Sequence, residues 1–117
     1  MKYIITKDKL EQVILHFLNK GYGDLTEHKN KKHPKSIFYM KNNKIYMEWD
    51  KKYGANHGVL WVDSDTIYYD LKMWFSLEKN DIESIIKKWV EETYNIKGIT
   101  PYFLSGGNNI RWRRYWA

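Results

Sequence analysis

Residues 36–50 leave this chain the least freedom. Ser36–Lys41 and Lys44–Asp50 are two runs of aromatic and branched side chains, and Asn42 and Asn43 between them tolerate the positive φ of a tight type I′ turn. That pattern predicts a β-hairpin in which Lys41 pairs with Lys44. Continued without interruption, the pairing places Phe38, Met40, Ile45, Met47 and Trp49 on one face. Ile37, Tyr39, Tyr46 and Glu48 fall on the other. An apolar face opposed to a mixed one calls for a sheet covered on one side, so the chain needs helices to lay over it.

Two stretches supply them. Leu10, Val13, Ile14, Phe17 and Leu18 recur as one buried stripe, predicting a helix over 7–19 with Thr6 as N-cap and Gly21 as C-cap. Ile82, Ile85, Ile86, Trp89, Val90 and Thr93 form a second stripe. Asn80 and Glu83 have the spacing of a capping box, with Gly98 and Pro101 as the stop. A shorter helix follows Asp63-Ser64-Asp65, a run of N-cap residues, and carries Ile67, Tyr68, Leu71, Trp74 and Phe75. Gly58–Val62 reads as a short strand. Ile99–Leu104 and Ile110–Trp116 read as a second hairpin around Ser105-Gly106-Gly107-Asn108-Asn109, and Gly21–Lys35 as a basic loop.

The expected fold is therefore a small α+β domain over residues 1–117: a mostly antiparallel sheet of two hairpins plus one strand, packed on three helices. A chain of 117 residues buries a core large enough to fold without staples. If the first hairpin is set aside as an insertion, the remaining order is helix, strand, helix, helix, strand, loop, strand. That order resembles a winged-helix domain with Gly106-Gly107-Asn108-Asn109 at the wing tip. A winged helix reads DNA with a basic helix, whereas the third helix here carries Asp81, Glu83, Glu91 and Glu92 against Lys87 and Lys88.

Charge is laid out unevenly. Residues 1–53 carry +6, residues 54–109 carry −3, and the last eight residues add +3, which suggests a polyanionic partner or contact between copies. All three arginines lie in the final segment, Ile110-Arg111-Trp112-Arg113-Arg114-Tyr115-Trp116-Ala117. Arginine and the aromatic rings share a preference for stacking and for oriented hydrogen bonds, so Arg111, Trp112, Arg113, Arg114, Tyr115 and Trp116 are candidate contact residues. Lys29, Lys31, Lys32 and Lys35, with Lys41 and Lys44 at the hairpin tip, are candidates to extend a cationic track. Aromatic faces that stack bases and cations that follow phosphates are the means by which single-stranded nucleic acid is held. The same tail suits two other roles. Trp112 and Trp116 can complete the core as an edge strand, or the segment can dock on protein, since Trp, Tyr and Arg dominate interface hot spots.

Catalysis has little to stand on. The absence of cysteine excludes disulfides, thiol nucleophiles and thiolate-bound zinc. His16, His28, His33 and His57 include no pair at helical i, i+4 spacing, and two of them lie among lysines, so no metal ligand set is expected. A metal nuclease would need Glu48, Asp50 and Asp63 to converge, while capping by Asp63 and Asp65 explains their spacing more simply. No cofactor is expected. No segment has the length of a membrane span, and the residues around Lys2, Lys7, Asp8, Lys9 and Glu11 lack a signal-peptide pattern, so the expectation is a cytoplasmic protein with no membrane partner. Two functions follow as expectations: a non-catalytic protein that binds nucleic acid or another anionic partner, or an assembly, adaptor or inhibitor protein. The second is of the small lysine-rich kind that viruses encode, acting in host cytoplasm or virion by docking on protein or on a second copy.

Overall fold

A computed structural model describes residues 7–31, 33–51, 58–105 and 112. It is α+β: one five-stranded, mostly antiparallel sheet with three α-helices. The chain runs α1 (Lys7–Tyr22), β1 (Thr26–Asn30), β2 (His33–Lys41), β3 (Lys44–Lys51) and β4 (Gly58–Asp63). A π-helical turn over Ser64–Tyr68 then leads into α2 (Tyr69–Phe75), α3 (Lys79–Thr93) and β5 (Ile99–Leu104). Strand order follows the sequence. The first four strands form an antiparallel meander, and β5 joins β4 in parallel after the helical crossover that such a pair demands. Pro101 is tolerated because β5 is an edge strand.

The β2–β3 hairpin forms as expected, with Asn42 and Asn43 at φ of 53° and 61° and Lys41 opposite Lys44. Its faces differ from the expectation. Met40 pairs with Ile45 and Tyr39 with Met47, so Tyr46 is an extra, bulged residue on β3. One inserted residue moves every later side chain to the opposite face. Tyr39, Met47 and Trp49 therefore join Leu60 and Val62 in the core beneath the helices, while Phe38 and Ile45 lie on the reverse face. Glu48, opposite Phe38 in the register, goes with the reverse face.

Other corrections are local. The supposed loop 21–35 contains β1, an exposed edge strand (Thr-Glu-His-Lys-Asn) with no apolar alternation to announce it. Helix α1 runs on to Tyr22. Gly23, rather than Gly21, meets the close approach at its end: its N–H donates to the Asn19 carbonyl at 3.0 Å, and a Cβ there would lie 2.4 Å from that oxygen. Helix α3 starts at Lys79 with Glu78 as N-cap, so the Asn80–Glu83 box does not form; Glu83 instead approaches Lys79 at 4.0 Å. Asn95, at φ 55°, turns the chain just after α3, ahead of Gly98. The first hairpin supplies the two inner strands β2 and β3 and is no insertion, so the winged-helix order rests on a division that this sheet does not make.

The main core lies between the sheet and the helices. Ile14 and Leu18 of α1, Ile67 and Leu71 around the π-helical turn, and Ile82, Ile86, Trp89 and Val90 of α3 are all closed to solvent. Burying each such side chain contributes about 2–3 kcal/mol before the entropy of ordering it. Asn19 fastens α1 to α3, accepting from Trp89 Nε1 at 2.8 Å and from Thr93 Oγ1 at 3.3 Å. Of the apolar positions at helical spacing here, Trp74 is 73% exposed, while Ile67 and Leu71 take the core side of this short segment.

Candidate functional site

A cavity of about 580 Å³ opens between the first three strands and the chain that leaves α3. The register explains what lines it. Glu27 on β1 is opposite Tyr39 on β2, and Ile37 on β2 is opposite Trp49 on β3, so all four look toward the helices on the same face. Tyr94, Asn95, Ile96 and Lys97, which follow α3, close the other side. Tyr39 and Trp49 form the floor, with Trp49 only 6% exposed. Tyr94 is half-buried and lies over Tyr39 at a centroid distance of 4.7 Å.

Hydrogen bonds fix this wall. The Tyr94 hydroxyl donates to the Tyr22 carbonyl and accepts from the Leu25 N–H at 3.3 Å, tying the end of α3 to the entry of β1. Burial pushes its phenol up to about 12. The Tyr39 hydroxyl differs: it is buried and has no hydrogen-bond partner. Burial first, then the adjacent Glu27 carboxylate across the strand pair, raises its pKa well above the phenol range.

The candidate lysines divide into two groups. Lys29 is paired with Ile37, and Lys35 lies two residues before Ile37 on the same strand, so both belong to the cavity's face of the sheet. Both are exposed, as are Lys31 in the β1–β2 turn and Lys97 on the cavity wall. Lys41 and Lys44 belong elsewhere, at the opposite end of β2, about 20 Å from Lys35. They are also engaged: Lys41 Nζ is 3.0 Å from Asp24, whose carboxyl it holds below the usual range, and Lys44 Nζ is 3.9 Å from Asp63. The fold therefore does not join the hairpin tip to a single cationic track. Lys32 lies outside the described residues, as do Arg111, Arg113, Arg114, Tyr115 and Trp116.

Around that hairpin tip is a compact polar cluster. Asp63 caps the π-helical turn, accepting from Asp65 N at 3.3 Å and from Thr66 Oγ1 at 3.1 Å. Burial raises its pKa in spite of these bonds and of Lys44. The Tyr22 hydroxyl donates to Asp70, and burial together with that carboxylate drives its pKa far up. The carboxylates considered for a nuclease centre do not converge. Antiparallel pairing sets Met47 opposite Val62 and Asp50 opposite Val59, so Asp50 and Asp63 end up about 13 Å apart at opposite ends of the β3–β4 pair. Among the described residues, no three His, Asp or Glu side chains are placed to share a metal ion.

On the reverse face of the sheet, Trp112 is fully buried with Phe38 and Ile45, flanked by Met40, Trp61 and Leu104. Its indole N–H donates to Glu48 Oε1 at 2.9 Å, and Ser36 Oγ donates to Glu48 Oε2 at 3.0 Å. Glu48 is itself only 1% exposed. Trp112 is thus an anchor for the C-terminal segment, with no ring face open to a partner. Sequence reasoning missed the cavity, because Glu27 sat in a presumed loop and Tyr39 and Trp49 were assigned to opposite faces. The register shift at Tyr46 is the signal that would have united them.

No protein-family model matches this chain, and no curated protein or solved structure is significantly similar to it.

Proposed function

We propose that this protein is a non-catalytic binder of single-stranded nucleic acid, with the cavity beside β1–β3 receiving a base. The observation that supports this is the composition of one place: the half-buried ring of Tyr94 beside Tyr39 and Trp49, whose rings are closed off in the core, and Lys29, Lys35 and Lys97 on the same side of the sheet. A strand is held by cations that track phosphates and by ring faces that stack bases, and these residue types meet here. The +6 charge of residues 1–53 would speed the encounter. Arg111, Arg113 and Arg114 would add further cationic contacts.

Fluorescence anisotropy of a labelled mixed-sequence single strand, titrated over a range of salt, tests the reading. Binding should weaken steeply with salt. Replacing Lys29, Lys35 and Lys97 by Ala should reduce the slope of log Kobs against log salt by roughly 2, the counterions of three phosphate contacts on a single strand. The corresponding Arg111, Arg113 and Arg114 variant reports the tail's share. No complex at low salt would sink the proposal.

A specific observation also favours the rival reading, an assembly or adaptor protein that docks on protein. Tyr69, Met73 and Trp74 leave large apolar surfaces exposed on α2. Docking through them would show modest salt dependence and would be lost in Trp74→Ser.

A further inference from the structure

Asn19 fastens the C-terminal part of α1 to α3 through Trp89 and Thr93. Toward their N-termini the same two helices enclose a groove of about 400 Å³. Its inner surface is aliphatic: Leu10 and Ile14 from α1, Leu77 from the link before α3, and Ile85 from α3. Leu10 and Leu77 are only partly buried, so apolar surface is left open to water. An apolar cavity of about 150 Å³ already accepts a ring the size of benzene, so this groove has room for more than one branched side chain. Its rim is acidic, carrying Asp81 and Glu11, the latter 3.3 Å from Lys88 Nζ.

The chain just before α1 suits this groove. Residues 1–6 lie outside the described residues, but their sequence, Met1-Lys2-Tyr3-Ile4-Ile5-Thr6, carries a message of its own. With Thr6 as N-cap of a helix whose first described residue is Lys7, Ile5 precedes the cap and Leu10 is the fourth residue of the helix. Those two positions are the ones that pack together in a hydrophobic staple, the contact that fixes the angle at which a chain enters its helix. Leu10 stands on the groove wall, so a staple there leads the chain toward the groove. Two extended residues span at most about 7 Å, which holds Ile4 close to the cap as well. Lys2 brings the charge that complements an acidic rim.

We infer that this groove is the docking site of the chain's own residues Lys2–Ile5. Ile5 closes on Leu10, Ile4 covers the aliphatic wall formed with Leu77 and Ile85, and Lys2 meets the rim of Glu11 and Asp81. The groove is then an interface within one chain, and it ties α1 to α3 at the end away from Asn19.

The chain has no cysteine, so a designed pair reports the contact without background. The full chain carrying Ile4→Cys and Ser84→Cys, with Ser84 exposed at the groove, is oxidised with glutathione disulfide at low protein concentration. A control pairs Ile4→Cys with Thr100→Cys, an exposed position on β5 that alternates with Tyr102 and Leu104 on the reverse face. The Ser84 pair should close within one chain roughly tenfold faster than the control, as expected for a tethered segment held beside its target. Intact mass and mobility on a non-reducing gel read the outcome. Equal rates for the two pairs would overturn the docking site. Cross-links only between chains would overturn the assignment to the chain's own segment. A urea series adds a check on the staple: Ile5→Ser and Leu10→Ala should each lower the midpoint, and the double variant should fall short of the summed shift. Leu10 is only partly buried, so these variants should still fold. Shifts that add in full would overturn the Ile5–Leu10 contact.

Discussion

Glu48 meets demands that few buried acids meet: one oxygen takes the Trp112 indole N–H at 2.9 Å and the other the Ser36 hydroxyl at 3.0 Å. A carboxylate so placed is stabilised only while its donors remain, and removing one leaves a buried charge short of a partner. Trp112→Phe preserves most of the buried volume and deletes the donor, so it should cost about 1–3 kcal/mol. Trp112→Ala adds the cavity and should cost about 3–5 kcal/mol. Urea denaturation of the two variants checks the order; equal losses would mean that packing alone matters. Here the sequence was partly legible. Alternation around Ile110 and Trp112 marked a tryptophan suited to a sheet surface. That its partner would be Glu48 was hidden, because Glu48 follows the bulge at Tyr46 and so changes face.

At the scale of elements, the segments with strong periodicity appeared where their sequences placed them. The stripe Ile82–Thr93 became α3, and Asn42-Asn43 became the hairpin turn. Elements whose stability comes from neighbours were not legible: β1 is an exposed polar edge, and the parallel β4–β5 pairing depends on where the crossover returns the chain. The turn after β4 lies between these cases. Asp63 was readable as a cap, but neither the π-helical form of the turn nor the burial of Asp63, 2% exposed, was readable. Burial raises its pKa, so the folded state holds this proton more tightly than the unfolded chain does. Its contribution to stability is fully present below the ordinary 3.8 and is lost as pH rises through the folded value. Asp63→Asn keeps an oxygen for the Asp65 N–H and removes the buried charge. It should match the parent at low pH, exceed it near neutral pH, and flatten the stability profile in the window just above 3.8. Asp63→Ala should lose about 1 kcal/mol at neutral pH. Thermal melts over an acid-to-neutral pH series decide the matter; an Asn variant with an unchanged profile would assign the pH dependence elsewhere.

Considered whole, the molecule is a sheet with two unequal covers. Three helices close one face over a large core, while on the other the described cover is a single tryptophan seated among Phe38, Ile45, Met40, Trp61 and Leu104. The cavity with Glu27 lies on the helical side, so the two surfaces can be separated by experiment. Truncation after Asn109 removes the reverse-face anchor and bares apolar strand surface beside Glu48, a combination that favours association between copies. The truncated chain should lose about 3–5 kcal/mol of stability, as for a buried tryptophan replaced by alanine. It should also form larger species as its concentration rises, which light scattering across a dilution series would detect. If it stays monomeric and equally stable, Trp112 is not needed as a cover and the C-terminal segment is released to act as a contact arm. If it associates but still binds single strands at concentrations where it is folded and monomeric, the cavity alone carries recognition and the tail's work is structural.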